Sequence, residues 1–261
     1  MRKSDLLRLA EVRDAYRLIG DCRDLGSEPA LWQIRMFEGL CQLVGVPWAS
    51  GGEGFWARPP GSIQPLSFLA FGLDDRHRER YLAYAREVGP QGDPLYHALQ
   101  TLPGQILTRS RSALLSDAMW YRSSVFNNYY KPARADHALF SVYLAPQRHG
   151  ASVICLSRGL GERDFLPGEV RLLEFFHAEL GRLIGHQLVS ATEPTIDELS
   201  PRLRQTLACL LEGDSEKQVA ARLGLSPTTV HQYVTALYRR FGVQSRAQLL
   251  MHMLRRSRTP E

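Results

Sequence analysis

The chain has 261 residues, 44% hydrophobic and 23% charged, and a formal net charge of +5. That length and composition suit two globular domains with ordinary cores, and they exclude a disordered or low-complexity chain. No stretch approaches the ~18 apolar residues a membrane span needs, and residues 1–20 interleave Arg2, Lys3, Asp5, Arg8, Glu11, Arg13 and Asp14 with leucines, unlike a secretory signal; a cytoplasmic protein is expected.

The charge is unevenly placed. Residues 199–261 hold ten Arg/Lys against four Asp/Glu, +6, so the preceding 198 residues sum to −1. A small basic module beside a near-neutral larger one points to a polyanion-binding unit and a unit that controls it. The four cysteines, Cys22, Cys41, Cys155 and Cys209, stand singly without a CxxC pair, which predicts reduced, buried thiols rather than a zinc site or disulfide framework.

Residues 3–24 place Leu6, Leu9, Val12, Tyr16 and Ile19 near one helical face, predicting an amphipathic helix for packing or dimerisation. After a break at 26–29, Leu31, Ile34, Phe37, Leu40, Cys41 and Val44 mark a second helix ending at Gly45. Within residues 48–58, Gly51-Gly52-Glu53-Gly54 lacks the Lys-Ser/Thr of a phosphate loop and reads as a turn between strands. Residues 66–73 predict a buried strand, Asp74-Asp75 the start of a helix through Val88, and residues 90–94 a loop. A short helix through Gln100 and a strand at 104–109 follow, and Ser116-Asp117 opens an aromatic-rich helix with Trp120, Tyr121, Phe126, Tyr129 and Tyr130. Residues 138–145 and 151–157 form a predicted hairpin around 146–150. Residues 167–189, with Val170, Leu173, Phe176, Leu180, Leu183, Ile184 and Leu188, predict one long helix that packs on the sheet, pairs with a copy of itself, or both. This order of elements predicts an α+β domain, an antiparallel sheet flanked by helices, over residues 1–189, followed by a linker at 190–198 that includes Thr192, Pro194 and Thr195.

The final segment, 199–261, carries two short helices joined by a tight turn. Val219, Ala220 and Leu223 recur at helical spacing, and Gly224 stops that helix; Ser226 and Pro227 then cap and start a second one with the stripe Val230, Val234, Leu237 and Phe241. This is a helix-turn-helix pattern within an all-α, four-helix domain. Residues 228, 231, 232 and 235 fall on the face opposite the stripe.

From Leu199-Ser200-Pro201-Arg202 through Leu207, Leu210, Leu211, Gly213, Lys217, Val219, Ala220, Leu223, Ser226, Thr229 and Val230 to Phe241-Gly242-Val243 and Ser245-Arg246-Ala247, the segment closely resembles the LuxR-type (FixJ/GerE-type) DNA-binding domain. The resemblance runs ungapped over about a fifth of the chain. It implies a transcription regulator that binds double-stranded DNA as a homodimer on inverted half-sites, with RNA polymerase a further candidate partner. By the family's pattern His231, Gln232 and Thr235 correspond to base-reading positions, with Thr228 exposed beside them. Lys217, Thr229, Tyr233, Arg239, Arg240 and Arg246 are candidates for phosphates; packing is the alternative for Tyr233, and a solvated face for Arg239 and Arg240. The family usually has Glu where Leu203 sits and often His where Tyr233 sits, so a buried ion pair and one phosphate contact are expected to differ. The fourth helix, 247–254, is the expected dimer surface near DNA, with packing on the first helix as its alternative.

The tail 138–188 of the preceding domain resembles the end of a GAF-like or autoinducer-binding-like sensor. A phosphoacceptor receiver is excluded because the only lysines before the DNA-binding segment are Lys3 and Lys131 and the acidic pair Asp74-Asp75 lies far along the chain. The acyl-homoserine-lactone-binding pattern includes a Tyr separated from Asp-Pro by eight intervening residues, as Tyr84 stands to Asp93-Pro94, although its flanking tryptophans fall on Arg80 and Thr108. Tyr84, Asp93, Trp120, Tyr121, Tyr129 and Phe140 are therefore candidate pocket residues; Asp93 also reads as a helix cap, and the aromatics as plain core. Glu174 and His177, at i and i+3, form half of a carboxylate–metal motif with no second copy, and His186 is off their register, so no metal or other cofactor is expected. With no nucleophile elbow or P-loop either, an enzyme is not expected. The reading is a ligand-controlled DNA-binding regulator; the alternatives are a first domain serving only dimerisation or partner binding, and a catalytic sensor.

Overall fold

The computed structural model describes residues 6–56, 63–145, 150–190, 196 and 199–256, except the side chains of Arg76, Arg255 and Arg256. The chain divides into two compact units, residues 1–192 and 193–261. Most of the expected linker and the hairpin turn 146–149 lie outside the described residues.

The first unit opens with α1 (Leu9–Asp24) and α2 (Pro29–Val44). Helix α1 begins six residues later than its apolar spacing predicts; Arg8 is its N-cap residue, and Glu11 accepts from the Arg8 amide at 2.7 Å. Helix α2 ends as expected, with Gly45 in the left-handed conformation at φ 67°.

The sheet holds six antiparallel strands in the order β2-β1-β6-β5-β4, with β3 also pairing with β1. They are β1 (Trp48–Trp56), β2 (Ile63–Pro65), β3 (Leu69–Phe71), β4 (Ile106–Ser110), β5 (Ala135–Leu144) and β6 (Gly150–Gly159). The glycine-rich stretch at 51–54, expected as a turn, lies inside β1. On one edge β1 pairs with β6 from Trp48 to Phe55; on the other it pairs first with β3 and then with β2. Glycine suits this strand because its neighbours come too close for side chains. A Cβ at Gly51 would lie 1.9 Å from the Val153 carbonyl oxygen, and one at Gly52 would lie 2.1 Å from that of Ser67. The strand expected at 66–73 is correspondingly short, its first residues being drawn over β1 by bonds from the Leu66 and Ser67 amides to the Glu53 carbonyl.

Alternation sorts the sheet into two faces. Ala49, Leu139, Ile154 and Leu156 face α1, α2 and α8 (Pro167–Gly181), in a core with Trp32, Phe37, Leu173 and Phe176. Ala138, Phe140, Val142, Ala151 and Cys155 face a second core with Tyr84, Leu95, Leu99, Trp120 and Phe126. That side is covered by α3 (Asp75–Glu87), α4 (Gly89–Gly92), α5 (Pro94–Gln100), α6 (Arg111–Leu114), α7 (Asp117–Arg122) and a π-helical turn at Phe126–Tyr130. Residues 90–94, expected as a loop, mostly belong to α4.

The helix expected over 167–189 stops at Gly181. Gly181 rests on the Tyr143 ring, which a Cβ would meet at 2.4 Å, and Gly185 turns the chain at φ 78°. Residues 182–190 then fold back: the Val189 amide donates to the Gly26 carbonyl at 2.7 Å, and the Trp32 indole to the Val189 carbonyl at 3.0 Å. A buried Leu188 closes the segment, so its apolar residues serve this core rather than a continuous heptad seam.

The second unit is helical: α9 (Pro201–Leu211), α10 (Glu216–Leu223), α11 (Pro227–Phe241) and α12 (Arg246–Arg256). Ser215 and Gln218 form a capping box on α10, Gly224 ends it at φ 64°, and Ser226 accepts from the Thr229 amide at 3.1 Å to start α11. Leu207, Leu210, Val219, Val230, Val234, Leu237, Phe241 and Leu249 make its core. No helix among the described residues is long and apolar enough to cross a membrane.

Candidate functional site

Two places carry chemistry, one in each unit. In the second, α11 buries Val230, Val234, Leu237 and Phe241 and leaves Thr228, His231, Gln232, Thr235 and Arg239 exposed. These five residues follow i, i+3, i+4, i+7 and i+11, one continuous stripe. The His231 ring nitrogen Nδ1 lies 3.1 Å from Glu216 of α10, so the stripe's one imidazole already has a carboxylate partner. Lys217 and Arg240 are exposed, Tyr233 is half-buried, and the Thr229 hydroxyl lies 2.8 Å from that of Ser226 within the cap.

Arg246 departs from expectation. Its guanidinium donates to the carbonyls of Asp214 at 2.7 Å and Leu210 at 3.0 Å, fastening the start of α12 to the end of α9 and the turn before α10. Each terminal nitrogen thus spends one of its hydrogens inside the fold. Leu203, where the family usually carries Glu, packs half-buried against the apolar core, so no carboxylate is placed there.

In the first unit, two cavities lie between the sheet and its second layer of helices. The larger, about 100 Å³, has Gly52, Gly54, Ala151 and Val153 along its floor and Tyr81, Tyr84 and Tyr96 among its walls, with Trp56 at one end. The smaller, about 70 Å³, lies over Ser50, Cys155 and Ser157 and shares Tyr81 and Tyr84 with the first; Tyr129, Tyr130, His77 and Arg80 are among its other walls. The reason is legible in the strands: on this face β1 presents Ser50, Gly52 and Gly54 in succession, and β6 presents Ala151, Val153, Cys155 and Ser157. Small side chains leave space that large ones above only partly fill.

Burial governs the ionisable groups here. It raises the phenol pKa of Tyr84 and of Tyr96 well above the ordinary value, and it pushes the Cys155 thiol up to about 12. The Tyr84 hydroxyl donates to Asp93 at 2.6 Å, and the same carboxylate accepts from the Leu95 amide at 2.8 Å. Asp93 is thus a helix cap and a phenol acceptor at once. Burial raises its pKa, and the two hydrogen bonds oppose that rise without cancelling it.

Residues 197–253 match the family described as bacterial regulatory proteins, luxR family. This segment is a luxR-family DNA-binding domain. No curated protein matches the chain significantly in sequence. Among solved structures, Escherichia coli SdiA is 13% identical over 84% of this chain and 86% of its own, with a TM-score of 0.41. The Vibrio cholera VqmA–ligand–DNA complex is 24% identical over 46% of this chain and 49% of that one, with a TM-score of 0.23.

The luxR-family domain makes the protein a DNA-binding regulator and places the α11 stripe in the helix that follows the turn. In the first unit the six candidate pocket residues separate. Tyr84 and Tyr129 line cavities, and Asp93 sits behind Tyr84. Trp120, Tyr121 and Phe140 line neither. The Trp120 indole and Tyr121 hydroxyl donate to Asp136 at 3.2 and 2.9 Å, beside a buried Arg111, and Phe140 packs against Tyr96 with ring centres 5.4 Å apart. Aromatic spacing alone does not distinguish a wall from a core. Missed by sequence reasoning were Tyr81, Tyr96, Tyr130 and Trp56; the signal that marks their site is the alternating run of small residues in β1.

His177, weighed as half of a metal motif, points into the sheet. Its Nδ1 lies 2.8 Å from the Ser141 hydroxyl and its Nε2 3.1 Å from that of Ser152, and burial lowers its pKa to about 3.

Proposed function

We propose that this DNA-binding regulator works as a homodimer whose first unit senses a small molecule in the tyrosine-walled cavities. Gln232, His231, Thr235 and Thr228 read base edges in the major groove. Lys217, Thr229, Tyr233, Arg239 and Arg240 are assigned to phosphates, and Arg246 is reassigned to holding α12. Gln232 suits adenine N6/N7, while Thr235 suits a thymine methyl. One such domain buries too little surface for tight specific binding, which favours two copies on inverted half-sites.

The observation that carries the sensing half is Glu53. Its backbone lines the larger cavity, while its side chain passes to the other face of the sheet, accepting from Gln33 at 2.8 Å and from the Ser190 hydroxyl. Ser190 is where the chain leaves this unit's described core, so a change in the β1 wall reaches that exit directly.

The test is DNA affinity measured with the cavity open and filled. Ala151→Phe adds a ring to the floor without touching Glu53. A changed affinity for a site selected from random DNA supports sensing; equal affinity in a folded variant removes it. Sedimentation of the chain with that DNA gives stoichiometry, and a 1:1 complex on an inverted repeat would remove the dimer.

A further inference from the structure

The cavity walls hold polar groups that the fold leaves unused. Tyr81, Tyr96 and Tyr130 make no hydrogen bond to any described residue, although Tyr84 and Tyr129 in the same cluster donate to Asp93 and Glu87. Tyr96 and Tyr130 are half-buried, and each lines a cavity, Tyr96 the larger and Tyr130 the smaller. Burial holds all three phenols protonated through the physiological range, which makes them standing hydrogen-bond donors. A ligand acceptor that displaces water from such a hydroxyl keeps a hydrogen bond there, whereas an apolar group in the same place loses it.

The charge on the walls narrows the ligand further. Among the described residues no Arg, Lys or His lines the larger cavity, and the one acid that does, Glu53, is engaged with Gln33 and Ser190 on the opposite face. An anion entering would lose its hydration with no counter-charge, while an uncharged molecule would not. The apolar wall is aromatic: Trp56 and Tyr96 have ring centres 6.2 Å apart, and Tyr81 stacks on Phe68 at 4.3 Å. At about 100 Å³ the enclosed space is below the roughly 150 Å³ of an apolar cavity that accepts benzene, so it holds no more than one ring, with any substituent reaching out through its open side.

We propose that the larger cavity binds an uncharged, single-ring organic molecule bearing a carbonyl acceptor, with the hydroxyls of Tyr96 and Tyr81 as its donors. This names the ligand class for the sensing role above and rests on it.

Three probes of matched shape separate the terms: acetophenone, ethylbenzene, which lacks the acceptor, and benzoate, which adds a charge. Binding to the full chain is followed by the Trp56 indole resonance, assigned with Trp56→Phe. Acetophenone is expected to shift it saturably, ethylbenzene to bind more weakly, and benzoate to leave it unmoved. Tyr96→Phe, which removes one oxygen, is expected to weaken acetophenone about three- to tenfold and leave ethylbenzene unchanged; Tyr81→Phe provides the same comparison should the first variant unfold. Equal binding of acetophenone and ethylbenzene, preference for benzoate, or no shift with any probe overturns the proposal. Acetophenone that binds without altering DNA affinity would remove the sensing role and keep the ligand class. Conversely, a DNA response to Ala151→Phe with no probe bound would keep sensing and remove the ligand class.

Discussion

Arg246→Met separates a structural arginine from a phosphate-gripping one. The methionine keeps most of the apolar stem and deletes the two bonds to the carbonyls of Asp214 and Leu210, at 2.7 and 3.0 Å. Hydrogen bonds from a charged donor contribute about 1.5–3 kcal/mol each. Arg246 is half-buried, so water re-pairs with part of what is exposed, and the expected loss falls below the roughly 3–6 kcal/mol of two full bonds, at about 2 kcal/mol. For a domain of this size that is a large part of a total stability of roughly 3–9 kcal/mol. Urea unfolding followed by far-ultraviolet circular dichroism reads the loss, and amide exchange of α12 locates it. Under conditions where the variant is folded, the slope of log K against log salt should equal the parent's, because no phosphate contact is lost. An unchanged unfolding midpoint together with a slope reduced by about one would refute the structural assignment.

Gln232→Ala should weaken the best DNA site by about 1–3 kcal/mol and relax one base position; equal loss on every sequence in a binding-site selection would mean that Gln232 contacts only backbone. His177 has a folded pKa of about 3 against 6.5 for a free imidazole, so between those values the unfolded chain binds the extra proton. Its contribution is complete above pH 6.5 and falls by about 1.4 kcal/mol for each pH unit below it; His177→Gln should flatten that part of the stability–pH curve. In Glu169, burial raises the pKa but bonds from Arg163 and Arg158 outweigh it, giving about 2, so its contribution is present above 4.5 and lost only as pH falls from there toward 2; a curve already flat between pH 6.5 and 4.5 would exclude the His177 effect. Gly51→Ala, at φ 151° with its Cβ 1.9 Å from the Val153 carbonyl oxygen, should cost about 3 kcal/mol or more, read as a lowered thermal midpoint of the first unit; a variant as stable as the parent would show that β1 and β6 separate freely.

Local signals were read well wherever the determining contacts lie within a few residues. Asp74 caps α3, Gly45 ends α2, Ser226 and Pro227 start α11, and Gly224 adopts left-handed backbone. The hairpin of β5 and β6 follows from its alternating pattern in the same way. Reading failed where a distant partner decides. Gly51 to Gly54 look like a turn until strands on both edges press on them, and residues 182–190 look helical until Tyr143, Gly26 and Trp32 fold them back. Trp120 and Tyr121 look like pocket walls until Asp136 takes their hydrogens.

The amino-acid sequence by itself therefore determined the helix-turn-helix, its family and the stripe from Thr228 to Thr235, because helical periodicity and capping are written in neighbouring residues. Only the tertiary structure decided that Arg246 holds carbonyls and that small residues of β1 and β6 meet tyrosines over an unfilled space. The same holds for Glu53, whose reach through the sheet to Ser190 joins residues 137 positions apart in the chain. A cavity is a property of which surfaces face each other, and that pairing is set by packing across the whole unit.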